Sequence, residues 1–247
     1  MPYVNFTVMI KMNQGKRTQK MNQSVRLKAI ASLIEKGQPT ADIGSDHAGL
    51  ARYLVETGMV QWVIATELSE APFANAFQSA GNSIQADRIE VRKGDGLQAL
   101  SPGEVANVII AGLGGDTITG ILANDWQKAA SFKRFVFQPM SRPAVLREAL
   151  GGQGWPIVDE VIIRENKRYF TAIAAVPGTE PYSLSPLEME LGPIVLQKSN
   201  QYQSYLLYHL NKYFRLRDSL QKSRQYNELL AETEQKIAGL ETILYAG

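Results

Sequence analysis

The chain of 247 residues contains no cysteine. This absence excludes disulfide bonds, cysteine-ligated zinc sites and catalysis by a thiol. Long apolar runs are also lacking, so no segment resembles a membrane-spanning helix. The chain also lacks a large excess of either charge, since it has 26 basic and 24 acidic residues. We expect a cytoplasmic protein without a metal site, long enough for one α/β domain and a small appendage.

Residues 1–20 differ from the rest of the chain because they carry four basic residues and no acid. Their apolar part precedes the charges, which is the reverse of a secretory signal peptide. We interpret them as a disordered or upstream extension, with Met21 as an alternative start. Without them 22 basic residues remain against 24 acidic ones, a net charge near −2. Any nucleic-acid-binding surface must therefore be local.

Apolar runs alternate with helical patterns up to residue 177. A helix is expected at 22–36, and five strand-and-helix units follow, with strands that end at 42–44, 66, 92, 111 and 137. Two further strands, 157–163 and 169–176, are separated by too few residues for a parallel crossover, so they must form an antiparallel hairpin. The sequence predicts an α/β fold with a mostly parallel seven-stranded sheet that ends in this hairpin. This architecture resembles the class I (Rossmann-like) methyltransferases.

The composition changes after residue 177, which we take as the end of a domain that begins at residue 21. Residues 178–197 read as a linker with three prolines, and 198–247 as a coiled-coil-like helical hairpin with apolar residues every seven positions. Between Lys198 and Arg224 there are six basic residues and one acid, with tyrosines among them. These groups could contact phosphates and bases. Alternatively, the tyrosines pack the hairpin and the charges are solvated.

Polar and small residues follow the predicted parallel strands. Ligands of open α/β sheets bind at these carboxyl ends, so the turns should converge on one crevice. Glu67 could accept both ribose hydroxyls of a nucleoside cofactor, and Asp95 could accept from an adenine amine. Each turn also has a structural explanation, because Ser45 or Asp46 can cap the next helix and Asp95 can simply form a turn. We favour a nucleoside cofactor, S-adenosylmethionine.

Four segments resemble one family, the bacterial tRNA adenine-N1 methyltransferases that act on adenine 22. They are DIGSDHAGL at 42–50, GDGL at 94–97, IIAGLGG at 109–115 and QP at 138–139. The resemblance extends over about residues 21–247. It implies methyl transfer from S-adenosylmethionine to N1 of adenine 22 in tRNA, with tRNA as the partner and the helical hairpin as its binding domain.

The resemblance also implies roles for individual residues. Asp46 would be the catalytic residue. The implied cofactor contacts are Asp42, Gly44, Ser45, Asp46, His47, Glu67, Leu68, Asp95, Gly96, Ala111, Gly112, Leu113 and Gly114. The expected substrate contacts are Gln138, Lys212, Arg215 and Arg217.

Two positions depart from the family pattern. The family usually has tyrosine and leucine after DHA, whereas Gly49 precedes Leu50 here, and it usually has asparagine where Met140 stands. Both changes concern the positioning of the target base. Two other functions stay open on the sequence alone. One is methylation of a small molecule or protein, with the hairpin as a dimerisation module, and the other is nucleoside binding without catalysis.

Overall fold

A computed structural model describes residues 25–165, 167–222 and 228–245, so the predicted extension at 1–20 lies outside the described residues. Its centre is a seven-stranded sheet in the order β3-β2-β1-β4-β5-β7-β6. The strands are β1 (Thr40–Ile43), β2 (Val63–Glu67), β3 (Ile89–Lys93), β4 (Asn107–Leu113), β5 (Arg134–Pro139), β6 (Ile157–Glu165) and β7 (Arg168–Ala175). The first five strands are parallel, and β7 is antiparallel to both of its neighbours. The predicted fold class and terminal hairpin are confirmed.

Helices cover both faces of the sheet. The helices of the sheet domain are α1 (Val25–Ala31), α2 (Gly49–Glu56), α3 (Glu70–Gly81), α4 (Gly115–Ala123), α5 (Trp126–Ala129) and α6 (Pro143–Gly152). Buried residues of α1, α2 and α3 form one core cluster with the sheet, and those of α4, α5 and α6 form another. Because both faces are covered, the central strands β1 and β2 are buried along their whole length.

Several boundaries differ from the sequence prediction, and β6 continues to Glu165 beyond its expected end at residue 163. The first helix ends at Ala31, not at residue 36. The fourth strand begins at Asn107 and runs through Ala111 to Leu113, because Ala111 and Leu113 pair with β5 across an irregularity in register. In the predicted linker, residues 186–197 form two short helices, α7 (Pro186–Leu191) and α8 (Pro193–Gln197).

The C-terminal region consists of α9 (Ser199–Lys222) and α10 (Glu228–Tyr245). Every predicted heptad position on the two helices is buried or half-buried, as expected if these side chains face each other. The hairpin shares an apolar cluster with α7, α8 and one face of β6 and β7. It therefore packs against the edge of the sheet that β6 forms.

Within the described ranges, no helix has the length and apolar character needed to cross a membrane. The same ranges contain no group of three or more His, Asp or Glu side chains arranged to hold a metal ion.

Candidate functional site

The register of the parallel strands brings their carboxyl ends to one level. Ile43 lies opposite Thr66 on one side and opposite Ile110 on the other, and Ala111 lies opposite Gln138. The residues that follow these positions therefore share one edge of the sheet. The chain leaves β1 and β4 toward opposite faces, since α2 belongs to one core cluster and α4 to the other, and open α/β sheets have their ligand crevice at such a point.

The turn after β1 is built from backbone conformations that are rare for side-chain-bearing residues. Gly44, Asp46 and Ala48 have φ angles of 69°, 52° and 50°. The N–H groups of Gly44 and Ser45 both donate to the carbonyl of Thr66, at 2.9 and 3.2 Å. The N–H of Asp46 donates to Oε1 of Glu67. The neighbouring strand thus holds the turn in place.

Two carboxyl groups of this region are buried. Asp42 is 3% exposed and Glu67 is 7% exposed. Burial, together with the nearby charge of Glu67, raises the pKa of Asp42 to about 7. Burial also raises the pKa of Glu67, although the Asp46 N–H opposes this shift. Carboxylates in such a place are poised to accept hydrogen bonds from a ligand.

Four buried polar atoms at this edge have no hydrogen-bond partner in the described part of the chain. They are Oδ2 of Asp42, Oγ of Ser45, Oγ1 of Thr66 and Oε1 of Gln138. Buried polar atoms are nearly always paired in folded proteins, so atoms such as these mark a place for a polar ligand or water. The predicted cofactor residues therefore fit a ligand with several hydroxyl or amine groups.

Asp46 and His47 lie at the rim of the turn. Their side chains are 73% and 69% exposed, and Nε2 of His47 is 3.6 Å from Oδ2 of Asp46. Leu68, predicted to contact the cofactor, is 60% exposed beside them. The rim can thus be reached by a large substrate, while the buried pair Asp42 and Glu67 lies beneath it.

The turns after β3 and β4 complete the crevice. Asp95 is exposed, and Gly96 has a φ of 51° with Ile121 directly beside its Cα. On the other side, a Cβ added to Gly44 would be 4.0 Å from Cδ1 of Leu113. Gly112 has a φ of 80° and open space on its side-chain side. The structure therefore brings the predicted cofactor residues of all four turns to one edge.

The turn after β5 differs from its expected role. The side chain of Gln138 is fully buried, and its Nε2 donates to the carbonyl of Pro139 at 3.1 Å and lies 3.5 Å from Sδ of Met140. A direct contact of Gln138 with a substrate would have to be made from below the surface. Met140 is 42% exposed, and Ser141 and Arg142 of the same turn are exposed as well.

The predicted substrate residues of α9 lie outside the crevice. Lys212 and Arg215 are exposed on the middle of this helix. Arg217 is engaged within its own helix, since Nη2 is 2.8 Å from Oδ1 of Asp218 and its guanidinium lies over the ring of Phe214. Of the three, Lys212 and Arg215 are better placed to meet a partner.

Sequence reasoning missed Arg26, whose Nη1 lies 3.7 Å from Sδ of Met140. This contact spans 114 positions, and no sequence motif signals it. It also missed the basic residues at the β6–β7 turn, Arg164, Lys167 and Arg168. These residues could not be recognised without the strand order, because only the strand order shows that the β6–β7 turn lies at the same edge of the sheet as the crevice.

Comparisons with known proteins agree with this geometry. A family model described as a methyltransferase domain matches residues 23–173. The tRNA (adenine(22)-N(1))-methyltransferase of Bacillus subtilis (strain 168) is 33% identical over 172 residues, which is 70% of this chain and 72% of that protein. The crystal structure of the B. subtilis tRNA methyltransferase TrmK superposes with a TM-score of 0.77 at 28% identity, covering 91% of this chain and 100% of that one. A Streptococcus pneumoniae protein in complex with S-adenosyl-L-methionine gives a TM-score of 0.74 at 28% identity, over 90% of this chain and 99% of that one.

Proposed function

Since the chain belongs to the tRNA (adenine(22)-N(1))-methyltransferase family, we propose that it transfers a methyl group from S-adenosylmethionine to N1 of adenine 22 in tRNA. The observation that carries this proposal is the crevice at the carboxyl edge of β1–β4, where buried acceptors without partners lie beneath an exposed polar rim. This arrangement suits a nucleoside cofactor below and a polynucleotide above. The sheet also ends in the antiparallel hairpin expected of a class I methyltransferase.

We assign cofactor binding to the residues of the turns that follow β1, β2, β3 and β4. Glu67 is buried at the end of β2, so its carboxylate can accept from ribose hydroxyls. Asp95 and Gly96 lie on the adjacent turn, where they would face the adenine. Ala111, Gly112 and Gly114 supply small residues that leave room beside the reacting group. Asp42 supports the turn from below as a buried acceptor with one free oxygen.

The chemistry places modest demands on the protein. When bound, S-adenosylmethionine supplies an electrophilic methyl group, and N1 of adenine offers a lone pair at neutral pH. A strong proton acceptor is therefore unnecessary. Holding the adenine in line with the methyl group should account for much of the rate acceleration. Methylation leaves the adenine positively charged. A carboxylate next to the base can stabilise this charge or accept an amino proton.

Asp46 is the carboxylate we assign to this role. It is the exposed acid at the rim of the cofactor turn, and its backbone is fixed by the hydrogen bond to Glu67. His47 accompanies it at the rim. Because N1 lies on the pairing edge of adenine, the target base must be unpaired or flipped before it can reach Asp46.

We assign binding of the tRNA body to the C-terminal helices. Lys212 and Arg215 are exposed and are separated by three positions, so they lie on one side of α9. We divide the chain accordingly into a catalytic domain at 21–177, a connecting segment at 178–197 and a tRNA-binding hairpin at 198–247. A tRNA-modifying enzyme acts on tRNA in the cytoplasm, which is the location we propose.

The test is methyl transfer to unfractionated bacterial tRNA with radiolabelled S-adenosylmethionine, followed by mapping of the modified nucleotide. We expect one methyl group at N1 of adenine 22, and a tRNA with guanine at position 22 should accept none. Methylation at another nucleotide would contradict the proposed site. Methylation of a small molecule or protein in place of tRNA would favour the dimerisation role for the hairpin.

A further inference from the structure

We infer that the β6–β7 turn and the exposed side of α9 form one surface that holds the tRNA backbone next to the crevice. This surface comprises Arg164, Lys167 and Arg168 near the turn and Tyr208, Lys212 and Arg215 on α9, and it is called the edge surface below. The inference rests on the proposed function, because it takes RNA as the substrate. Its new element is the turn, which gives the catalytic domain its own contact with the RNA.

The strand order places the turn at the same edge as the crevice. Because β7 runs antiparallel between β5 and β6, strand β6 points in the same direction as β1–β5. The end of β6 and the start of β7 therefore lie at the carboxyl edge of the parallel strands. Three steps across the sheet separate β4 from β6, or about 14 Å at the usual strand spacing. One bound RNA could span this distance.

Helix α9 rises along β6 toward that edge. Near its start, Nζ of Lys198 is 2.8 Å from Oδ1 of Asp159, and the hydroxyl of Tyr202 donates to the carbonyl of Glu160 at 3.1 Å. Further along, the ring of Tyr208 contacts Tyr169, the first residue after Arg168 in β7. At 1.5 Å per residue, the 14 residues from Tyr208 to the end of α9 extend about 21 Å further. The helix therefore projects beyond the crevice edge.

Side-chain contacts join the turn to the helix. The guanidinium of Arg164 lies over the ring of Tyr169, with Cζ 5.8 Å from its centroid. The rings of Tyr169 and Tyr208 are 5.2 Å apart. Tyr208, Lys212 and Arg215 are spaced by four and three positions, which places them along one side of α9. Tyr169 thus links Arg164 at the turn to Tyr208 on the helix.

The cations of the edge surface form no ion pairs with the described residues. None of the five has a carboxylate within 4.0 Å there, although Glu165 is the cross-strand partner of Arg168. Tyr208 is 51% exposed and offers a ring for base stacking. Unpaired cations beside an exposed aromatic ring suit phosphates and bases. This concentration stands out because residues 21–247 have a net charge near −2.

The experiment compares two variants of the full chain that lose the same charge at opposite edges of the sheet. The edge variant is Arg164→Gln/Lys167→Asn/Arg168→Gln, with asparagine at 167 because the φ of Lys167 is 65° and asparagine tolerates this conformation. The control is Lys36→Gln/Arg88→Gln/Lys133→Gln, whose exposed side chains precede β1, β3 and β5 and so lie at the amino edge. Affinity for tRNA is measured by fluorescence anisotropy at several salt concentrations, with cofactor affinity by calorimetry.

We expect the edge variant to bind tRNA about tenfold more weakly, while its cofactor affinity and melting temperature stay at wild-type values. If three phosphate contacts are lost, the slope of log affinity against log salt should become shallower by about 2 to 3. The control should change affinity by less than twofold. Wild-type affinity and slope in the edge variant, or an equal loss in both variants, would overturn the inference. The proposed function fails separately, when the wild-type protein binds tRNA but does not methylate adenine 22.

Discussion

Nε of Arg147 lies 2.8 Å from Oε1 of Glu160, and neither side chain is exposed to solvent. The pair also binds the ends of two helices. Nη1 of Arg147 donates to two carbonyls in the last turn of α7, at Met189 and Glu190, while Oε2 of Glu160 accepts from the N–H of Ile194 at the start of α8. The pair therefore attaches the segment before the hairpin to the sheet.

Removing one member of this pair should destabilise the protein strongly. Arg147→Met leaves the Glu160 carboxylate buried without its counter-charge, which typically costs about 3–5 kcal/mol. We expect this loss in the free energy of unfolding measured with urea. The matched control is Arg217→Ala, which breaks the more exposed pair with Asp218 and should cost less than about 1 kcal/mol. Equal costs for the two variants would contradict the structural role of Arg147.

Asp46→Asn should slow methyl transfer without weakening cofactor binding. The substitution removes the negative charge, and asparagine tolerates the φ of 52° at this position. We expect a decrease of about 10²-fold or more in kcat for tRNA methylation, the range for a group that acts on charge in the transition state. Cofactor affinity, measured by calorimetry, reports on the integrity of the turn. Full activity with normal cofactor affinity would exclude Asp46 from catalysis.

Glu67→Gln should weaken cofactor binding. The amide oxygen can still accept from the Asp46 N–H, so the turn is kept, but the charged acceptor for the ribose is lost. Hydrogen bonds to charged groups contribute about 1.5–3 kcal/mol, which predicts a cofactor Kd about 10- to 100-fold higher. Calorimetry measures this Kd. Glu70→Gln is the control, because Glu70 is an exposed acid near the start of α3 and should leave the Kd unchanged. An unchanged Kd in Glu67→Gln would contradict the ribose assignment.

The cofactor-free protein should lose stability as the pH rises through the range in which Asp42 titrates. Its pKa is raised from 3.8 to about 7 by burial and by Glu67. Between these values the folded state keeps a proton that the unfolded state has released, so the free energy of unfolding falls with rising pH. The loss begins near pH 4 and is complete above about pH 7. It amounts to a few kcal/mol, since one pKa unit corresponds to about 1.4 kcal/mol.

Asp42→Asn isolates this contribution, because the amide does not titrate. Urea unfolding at pH 5 and pH 8 should show that the variant gains stability relative to wild type as the pH rises. A constant difference between the two proteins over this range would show that Asp42 keeps an ordinary pKa in the folded state.

Much of the fold follows from local pattern. The strands β2 and β3 end within one residue of their expected positions, because β2 is a short apolar run and β3 alternates apolar and charged residues, each followed by turn residues. The antiparallel ending followed from a connection too short to cross over. Strand β4 is harder to place, since Val105 and Ala106 are apolar and buried but precede the strand, whereas Gly112 continues it. Burial and strand pairing are separate properties. An apolar sequence pattern indicates burial, but it does not show which residues pair with a neighbouring strand.

Contacts between distant segments account for what the pattern did not reveal. The convergence of Asp42, Glu67 and Gly112 was expected from a general rule for α/β sheets. The segment that forms α7 and α8 was predicted to be a linker, because it is short and rich in proline. Its two helices are held by tertiary contacts from Arg147 and Glu160, which the local sequence does not reveal. The burial of Gln138 could not be predicted from the sequence either, since a residue at the end of a strand can face the crevice or the protein interior.

The hydrogen bond from the Asp46 N–H to Glu67 has a consequence for nucleotide selectivity. In dinucleotide-binding proteins, the turn after the first strand offers its N–H groups to a pyrophosphate. Here one of those donors is already engaged by a carboxylate of the same chain. A phosphate entering this turn would meet the negative charge of Glu67 at close range, whereas a neutral ribose would meet a hydrogen-bond acceptor. The carboxylate of Glu67 thus occupies a backbone donor of this turn, which disfavours a pyrophosphate at this position.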